Sequence, residues 1–132
     1  MVERKKYYEA IAGFIDKPII KIITGIRRSG KSTFLRMLQQ HLMGQGVLEE
    51  QMLYINFESF RFMDIRDAKI LYQYVIENIN TNQKSYLFFD EIQIVDNWEA
   101  AVNSFFVDFD TDIYVTGSNS NMLSSELSTM LT

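Results

Sequence analysis

The stretch TGIRRSGKST (residues 24–33) joins two segments of opposite character. The apolar run PIIKII comes directly before it, and FLRMLQQHLM, with apolar residues at helical spacing, follows it directly. A short apolar run bounded by a glycine indicates a buried strand, and apolar residues three and four apart indicate an amphipathic helix. The stretch is therefore a turn from strand to helix, and it is rich in glycine and basic residues.

Within this turn, Gly25, Gly30, Lys31 and Ser32 satisfy the pattern G-x-x-x-x-G-K-[ST] of a phosphate-binding loop, in the strand and helix context that the pattern requires. Glycine allows backbone N–H groups to approach phosphates that a β-carbon would block. The lysine reaches the β- and γ-phosphates, the serine hydroxyl binds Mg²⁺, and the helix adds its positive amino end. The predicted nucleotide-binding residues are Gly25, Ile26, Arg27, Arg28, Ser29, Gly30, Lys31, Ser32 and Thr33.

The alternative for this loop is a glycine turn with an incidental lysine. Glycine is about 7% of residues in an average protein, so a chance match in one short chain is rare. Two interpretations of Arg27 and Arg28 stay open: contact with phosphate or a neighbouring subunit, and simple solvation.

The second motif is YLFFDEIQ (residues 86–93), in which an apolar run ends in two carboxylates. The carboxyl end of a buried parallel strand faces the ligand in open α/β sheets. We therefore expect Asp90 to hold Mg²⁺ together with Ser32, and Glu91 to orient and polarise the attacking water. The alternative is a strand that ends in a solvated acidic turn.

The third motif is IYVTGSNSNML (residues 113–123), a fourth apolar run that ends in small polar residues. If this strand lies between the first and the third, Ser118 or Asn119 would hydrogen-bond the γ-phosphate or the water. An ordinary turn or helix cap is the alternative. The predicted catalytic residues are Lys31, Glu91, Ser118 and Asn119.

Apolar runs of strand length alternate with segments of helical period, which predicts a single α/β domain over residues 1–132 with a mostly parallel sheet. Asp96 and Glu99 have the spacing of a capping box. His41 has no ligand-spaced partners and is expected at the surface or in packing, and Trp98 in the core or an interface. Strands are expected at 19–24, 53–58, 86–90 and 113–116, and helices at 32–43, 67–79, 96–108, up to about residue 14 and from about residue 121.

Composition narrows the classes of partner. The 13 basic and 17 acidic residues give a net charge of −4, which provides no general attraction to nucleic acid or anionic membrane. The chain has no cysteine, and no run approaches the ~18 uninterrupted apolar residues of a membrane span. We expect a cytoplasmic protein without membrane contacts, and the sequence gives no evidence for nucleic-acid binding.

Taken together, GIRRSGKST, YINFE, FFDEIQ and TGSNSNMLSSELSTMLT resemble the predicted prokaryotic AAA-superfamily ATPases that carry a further C-terminal domain of uncertain function. The resemblance spans nearly the whole chain. It implies a three-layer P-loop NTPase fold with the strand order loop strand, fourth, third, second. It also implies that Lys31 and Ser32 are Walker A residues, Asp90 and Glu91 the Walker B pair, and Ser118 or Asn119 the first sensor.

The same resemblance implies an N-terminal fragment of the ATPase core, which ends before the lid. A fifth strand beyond the loop strand is expected to be missing, which would leave an open sheet edge suited to self-association. Another possible contact between copies is the ATPase interface. The arginine that such ATPases supply to a γ-phosphate has no assignable counterpart in this sequence.

The expected function is Mg²⁺-dependent binding and hydrolysis of ATP that drives conformational change in further domains. One alternative is a nucleotide-gated interaction module with little turnover, and a less favoured one is a small-molecule kinase, because adjacent carboxylates favour water as the acceptor. A GTPase is disfavoured because the sequence has no N-K-x-D motif.

Overall fold

A computed structural model describes residues 9, 13, 15–24, 28–118 and 128–131, with the backbone alone for 28, 29 and 128–131. Its centre is a five-stranded parallel sheet with the strand order β2-β3-β4-β1-β5. The strands are β1 Ile20–Ile23, β2 Met52–Asn56, β3 Ser85–Asp90, β4 Thr111–Thr116 and β5 Ser128–Leu131.

Helices lie between β1 and β2, between β2 and β3, and between β3 and β4, as the connections of parallel strands require. They are α1 Arg28–Gly44, α2 Ala68–Asn78 and α3 Trp98–Asp108. Short 3₁₀ turns occupy Glu49–Gln51, Phe60–Phe62 and Ile92–Ile94. No helix in the described ranges is both long enough and apolar enough to span a bilayer.

The two faces of the sheet bury two separate clusters, because successive side chains of a strand point to opposite faces. Leu87 and Phe89 of β3 belong to the larger cluster, which includes Leu71 of α2 and Phe105 of α3. Tyr86 and Phe88 of the same strand belong to the other cluster, together with Leu35, Leu38 and Leu42 of α1. The fold therefore has three layers, with α1 on one face and α2 and α3 on the other.

The predicted fold class and strand order are confirmed, since β1, β4, β3 and β2 follow one another across the sheet. Helix α1 begins at Arg28, a turn before the predicted start, so that Gly30, Lys31 and Ser32 lie within its first turns. Helix α1 ends in a glycine turn. Gly46 has a φ of 100°, and the N–H groups of Gly46 and Val47 bond back to the carbonyls of Met43 and Leu42, the pattern of a Schellman cap.

The predicted capping box of Asp96 and Glu99 is wrong. The residue before α3 is Asn97, which has a left-handed conformation and makes no side-chain cap hydrogen bond. Asp96 instead pairs through its backbone with the segment before α2, where its N–H donates to the Arg66 carbonyl. Asp67 is the side chain that caps a helix, accepting from the N–H of Ile70 at 2.9 Å.

The expectation of a missing fifth strand beside β1 is also wrong. Ser128–Leu131 pairs in parallel with Ile20–Ile23 along the whole of β1. This pairing gives partners to the outer backbone groups of β1, so the open edge proposed for self-association does not lie there. The strand also replaces the helix expected from about residue 121, whereas residues 121–127 and most of the expected N-terminal helix lie outside the described residues.

A charged pair lies buried at the amino ends of the strands, on the α1 face. The Lys21 ammonium and the Asp112 carboxylate form an ion pair in which both side chains are almost fully buried. Asp112 also accepts hydrogen bonds from the Tyr114 hydroxyl at 2.6 Å and from the Asp16 N–H at 3.0 Å. Burial lowers the pKa of Lys21 despite the opposing effect of Asp112, and burial next to Asp112 raises that of Tyr114. The cluster ties the segment before β1 to the sheet.

Replacing Lys21 by Met should destabilise the protein by about 3–5 kcal/mol, because it leaves the Asp112 charge buried without its cation. Urea unfolding followed by circular dichroism measures this loss. The control is Lys84→Met, which breaks an ion pair with Asp16 at the same end of the sheet but partly in solvent. That variant should lose only about 0–1 kcal/mol. Equal losses in the two variants would contradict a special role of the buried pair.

Candidate functional site

Asp90 ends β3 on the α1 face, because it continues the alternation of Tyr86 and Phe88. It is 1% exposed. On the same face, Thr116 of β4 and Tyr54 of β2 contact it, with Tyr54 paired to Phe88 in the sheet, and α1 packs on this face. The sheet order and the two-residue period thus place one carboxylate under the amino end of α1, as the carboxyl-end rule for open α/β sheets predicts.

Three hydroxyl groups from three different elements donate to this carboxylate. Ser32 Oγ and Tyr54 Oη lie 2.5 and 2.7 Å from Oδ2, and Thr116 Oγ1 lies 2.7 Å from Oδ1. Burial and the bond to Asp90 raise the pKa of Tyr54 well above its usual value, which keeps this hydroxyl a donor. Asp90 therefore links α1, β2 and β4 to the end of β3.

Lys31 reaches the same edge of the sheet from α1 and is 2% exposed. Its ammonium donates to the Gly117 carbonyl at 3.1 Å and to Ser118 Oγ at 2.8 Å, and it lies 3.7 Å from Glu91 Oε2. A buried ammonium is stable only with such partners. The predicted loop lysine, the second carboxylate and the predicted sensor serine are therefore in contact with one another.

Glu91 follows Asp90 in a left-handed conformation, with φ 60° and ψ 52°. This region is strained for a residue with a β-carbon, and such strain is concentrated at functional sites. The carboxylate is 3% exposed and accepts from Ser118 Oγ, which lies 3.0 Å from each of its oxygens. Gln93 Nε2 donates to Oε1 at 2.7 Å.

Thr116 connects the two acidic residues. Its hydroxyl donates to Asp90 and accepts from the backbone N–H of Glu91 at 3.0 Å. Thr116 is fully buried. One hydroxyl group of the neighbouring strand thus links the Asp90 carboxylate to the backbone of Glu91.

The structure brings together Lys31, Ser32, Asp90, Glu91 and Ser118 of the predicted site. Gly30 and Thr33 lie in the first turns of α1, and the backbones of Arg28 and Ser29 open that helix. Gly25, Ile26, Arg27 and Asn119 lie outside the described residues, so their predicted roles stay predictions.

Sequence reasoning did not assign Tyr54 or Gln93 to the site. Tyr54 could have been found from the two-residue alternation of β2, once β2 is placed beside β3. Gln93 has a weaker signal, because its contact with Glu91 depends on the left-handed turn at Glu91, which no residue-type rule indicates.

The residues present fit a magnesium nucleotide. Mg²⁺ prefers oxygen ligands and is usually held by one or two carboxylates, with phosphates and waters completing its shell. Ser32 and Asp90 supply a hydroxyl and a carboxylate in contact with each other, and Lys31 supplies a cation at the amino end of α1. Within the described residues no cluster of three or more His, Cys, Asp or Glu suggests a different metal site.

This sheet order, with a lysine and a serine at the start of the helix after β1 and two carboxylates at the end of β3, defines the class of P-loop NTPases. A family model described as an AAA domain matches residues 17–132. The chain belongs to this AAA family, whose P-loop fold binds ATP.

Two uncharacterized proteins are similar to this chain in sequence. The chain is 44% identical over 132 residues to an uncharacterized protein of Haemophilus influenzae, covering 99% of this chain and 33% of that protein. It is 38% identical over 115 residues to an uncharacterized protein of Methanocaldococcus jannaschii, covering 85% of this chain and 24% of that one. The matched parts thus span about a third of the first relative and about a quarter of the second.

A solved structure titled Drosophila ORC bound to DNA contains a chain with a similar fold. The TM-score is 0.61 at 12% identity, over 97% of this chain and 40% of the other. At this level of identity the likeness extends to the fold alone.

Replacing Thr116 by Val should destabilise the protein by about 1–3 kcal/mol, because it leaves the N–H of Glu91 buried without an acceptor. Chemical denaturation measures the loss. Thr111→Val is the matched control on the same strand, since Thr111 makes one half-buried bond to the Phe105 carbonyl at the opposite end. A loss no larger than that of the control would show that Thr116 does not organise the carboxylates.

Proposed function

We propose that the chain binds ATP with Mg²⁺ at the carboxyl edge of the sheet and hydrolyses it to ADP and phosphate. The observation that carries the proposal is the contact of Lys31, Glu91 and Ser118 directly beside the Ser32 and Asp90 pair. One edge of the sheet thus carries the Lys31 ammonium, the Ser32 and Ser118 hydroxyls, and the Asp90 and Glu91 carboxylates.

Lys31 is the proposed ligand of the β- and γ-phosphates. Its ammonium is held by a carbonyl, a serine hydroxyl and a carboxylate, all three on the β3 and β4 side of the site. Phosphate oxygens are stronger partners for an ammonium than a neutral carbonyl or hydroxyl, because both members of the pair are charged. Binding of the nucleotide would therefore draw Lys31 away from Gly117 and Ser118.

Ser32 and Asp90 are the proposed magnesium residues. The serine donates its hydrogen to Asp90, which leaves its oxygen lone pairs free for a metal ion. When bound, Mg²⁺ would neutralise phosphate charge and orient the γ-phosphate. Tyr54 and Thr116 would hold the Asp90 carboxylate in one orientation through their two hydrogen bonds.

Glu91 is the proposed base. Its carboxylate accepts hydrogen bonds from Ser118 and Gln93 and lies near Lys31. If Lys31 moves to phosphate, Glu91 loses its nearest cation, and Ser118 is released to donate to the γ-phosphate or to stay on Glu91. We also propose that this rearrangement is coupled to movement of further domains.

Lys31→Ala should abolish binding of Mg-ATP and Mg-ADP, because the variant lacks the buried cation of the site. Isothermal titration calorimetry of the chain with both nucleotides, and with Mg-GTP, measures this. Lys69→Ala is the control, since Lys69 is exposed on α2. Equal affinity of the wild type and Lys31→Ala would refute the site assignment.

Glu91→Gln should keep Mg-ATP binding and lower the rate of hydrolysis by about 10²–10⁴-fold, the usual contribution of a general base. Phosphate release at saturating Mg-ATP measures the rate, and calorimetry measures the binding. A wild-type chain that binds Mg-ATP and releases no phosphate would instead support a nucleotide-gated interaction module. Transfer of phosphate to a metabolite would support a kinase.

A further inference from the structure

Gln93 is a neighbour of Glu91 to which neither the motifs nor the proposed function assigns a role. It lies in the 3₁₀ turn Ile92–Ile94, which the left-handed conformation of Glu91 initiates. This sharp turn brings the amide of Gln93 back to the carboxylate of Glu91, with Nε2 at 2.7 Å from Oε1. This distance is short, as is typical of a hydrogen bond whose acceptor is a carboxylate.

The orientation of this amide is fixed by charge. Its N–H end faces the carboxylate, since the reverse orientation would place two acceptors in contact. The other end, Gln93 Oε1, is buried and accepts no hydrogen bond within the described residues. A buried acceptor without a partner costs about 1–3 kcal/mol. In a native site such an atom indicates a water or ligand that completes it.

The N–H end of the amide thus donates to the Glu91 carboxylate, and the oxygen end can accept from a bound donor. Water is the donor that the proposed reaction requires at this place. A water that donates one hydrogen to Glu91 and the other to Gln93 Oε1 directs its oxygen lone pair away from both acceptors. That is the orientation in which a water attacks an electrophile.

We infer that Gln93 holds the carboxylate of Glu91 in place and accepts one hydrogen of the water that Glu91 activates, an inference that rests on the proposed hydrolysis. The water oxygen forms a bond to the γ-phosphorus while one of its protons passes to Glu91. The bond between the γ-phosphorus and the β–γ bridging oxygen breaks, which leaves ADP and phosphate. Gln93 gains and loses no proton, so it is a positioning residue.

Ser118 is less suited to this task, although it also donates to Glu91. Its hydroxyl is shared with Lys31 at 2.8 Å, and the residue is exposed. When Lys31 moves to phosphate, the environment of Ser118 changes. The amide of Gln93 makes no described contact with Lys31, so it can hold Glu91 before and after nucleotide binds.

The first test needs no nucleotide. In the NMR spectrum of the chain, the side-chain amide of Gln93 is assigned by its loss in Gln93→Met. Because its N–H group is bonded to a carboxylate, its hydrogens should exchange with solvent more slowly than those of exposed glutamines, and Glu91→Gln should speed that exchange. Fast exchange in the wild type, or no change in Glu91→Gln, would overturn the positioning of Glu91 by Gln93.

The second test separates binding from turnover. Gln93→Met should lower kcat by about 10–100-fold, by analogy with the loss of a residue that orients a metal ligand, and leave the Kd for Mg-ATP unchanged. Gln93→Glu keeps the size and an acceptor but replaces the donor by a charge that repels Glu91, so it should lose as much. Gln39→Met is the control, because Gln39 on α1 donates to the Leu35 carbonyl.

The outcomes distinguish this inference from the proposed function. A wild type that hydrolyses ATP, together with a Gln93→Met variant that hydrolyses it equally fast, would overturn the role of Gln93 and leave the proposed function standing. A rise in Kd with unchanged kcat would also overturn it, since the residue would then act in binding. If the wild type releases no phosphate, the proposed hydrolysis fails and the role of Gln93 toward water fails with it.

Discussion

The site depends on the hydrogen bonds that three hydroxyl groups donate to one buried carboxylate. Asp90 accepts from Ser32, Tyr54 and Thr116, which belong to the helix after β1 and to the strands on either side of β3. An ionised carboxylate can be buried only if its oxygens are satisfied in this way. The same bonds that satisfy the buried Asp90 carboxylate also bring α1 and three strands to one point.

Period-two alternation explains why these groups meet. On the α1 face, β3 carries Tyr86, Phe88 and then Asp90, so that apolar packing ends in a carboxylate at the carboxyl edge. Much of this part of the structure was predictable from the sequence: the family resemblance implied the strand order, and the loop pattern together with the run YLFFDE placed Ser32 beside Asp90. These predictions succeeded because strand period, helix period and loop chemistry all favour the same fold.

Other features were beyond such reasoning because they depend on partners distant in the chain. The pair of Lys21 and Asp112 joins residues of two strands, and nothing local distinguishes a buried lysine in PIIKII from an edge lysine. Ser128–Leu131 forms a strand only because β1 has an unpaired edge beside it. Asp96 has the spacing of a helix cap but pairs with the segment before α2, so tertiary contact overrides local preference.

The central claim is that the carboxyl edge around Asp90 is the nucleotide site, and a crystal structure of the chain with Mg²⁺ and a non-hydrolysable ATP analogue tests it most directly. We expect Lys31 to leave Gly117 and Ser118 for the phosphates and Ser32 to ligate the metal ion. Asp90 should keep its bonds to Tyr54 and Thr116. An analogue bound elsewhere, with Lys31 still bonded to Ser118, would contradict it.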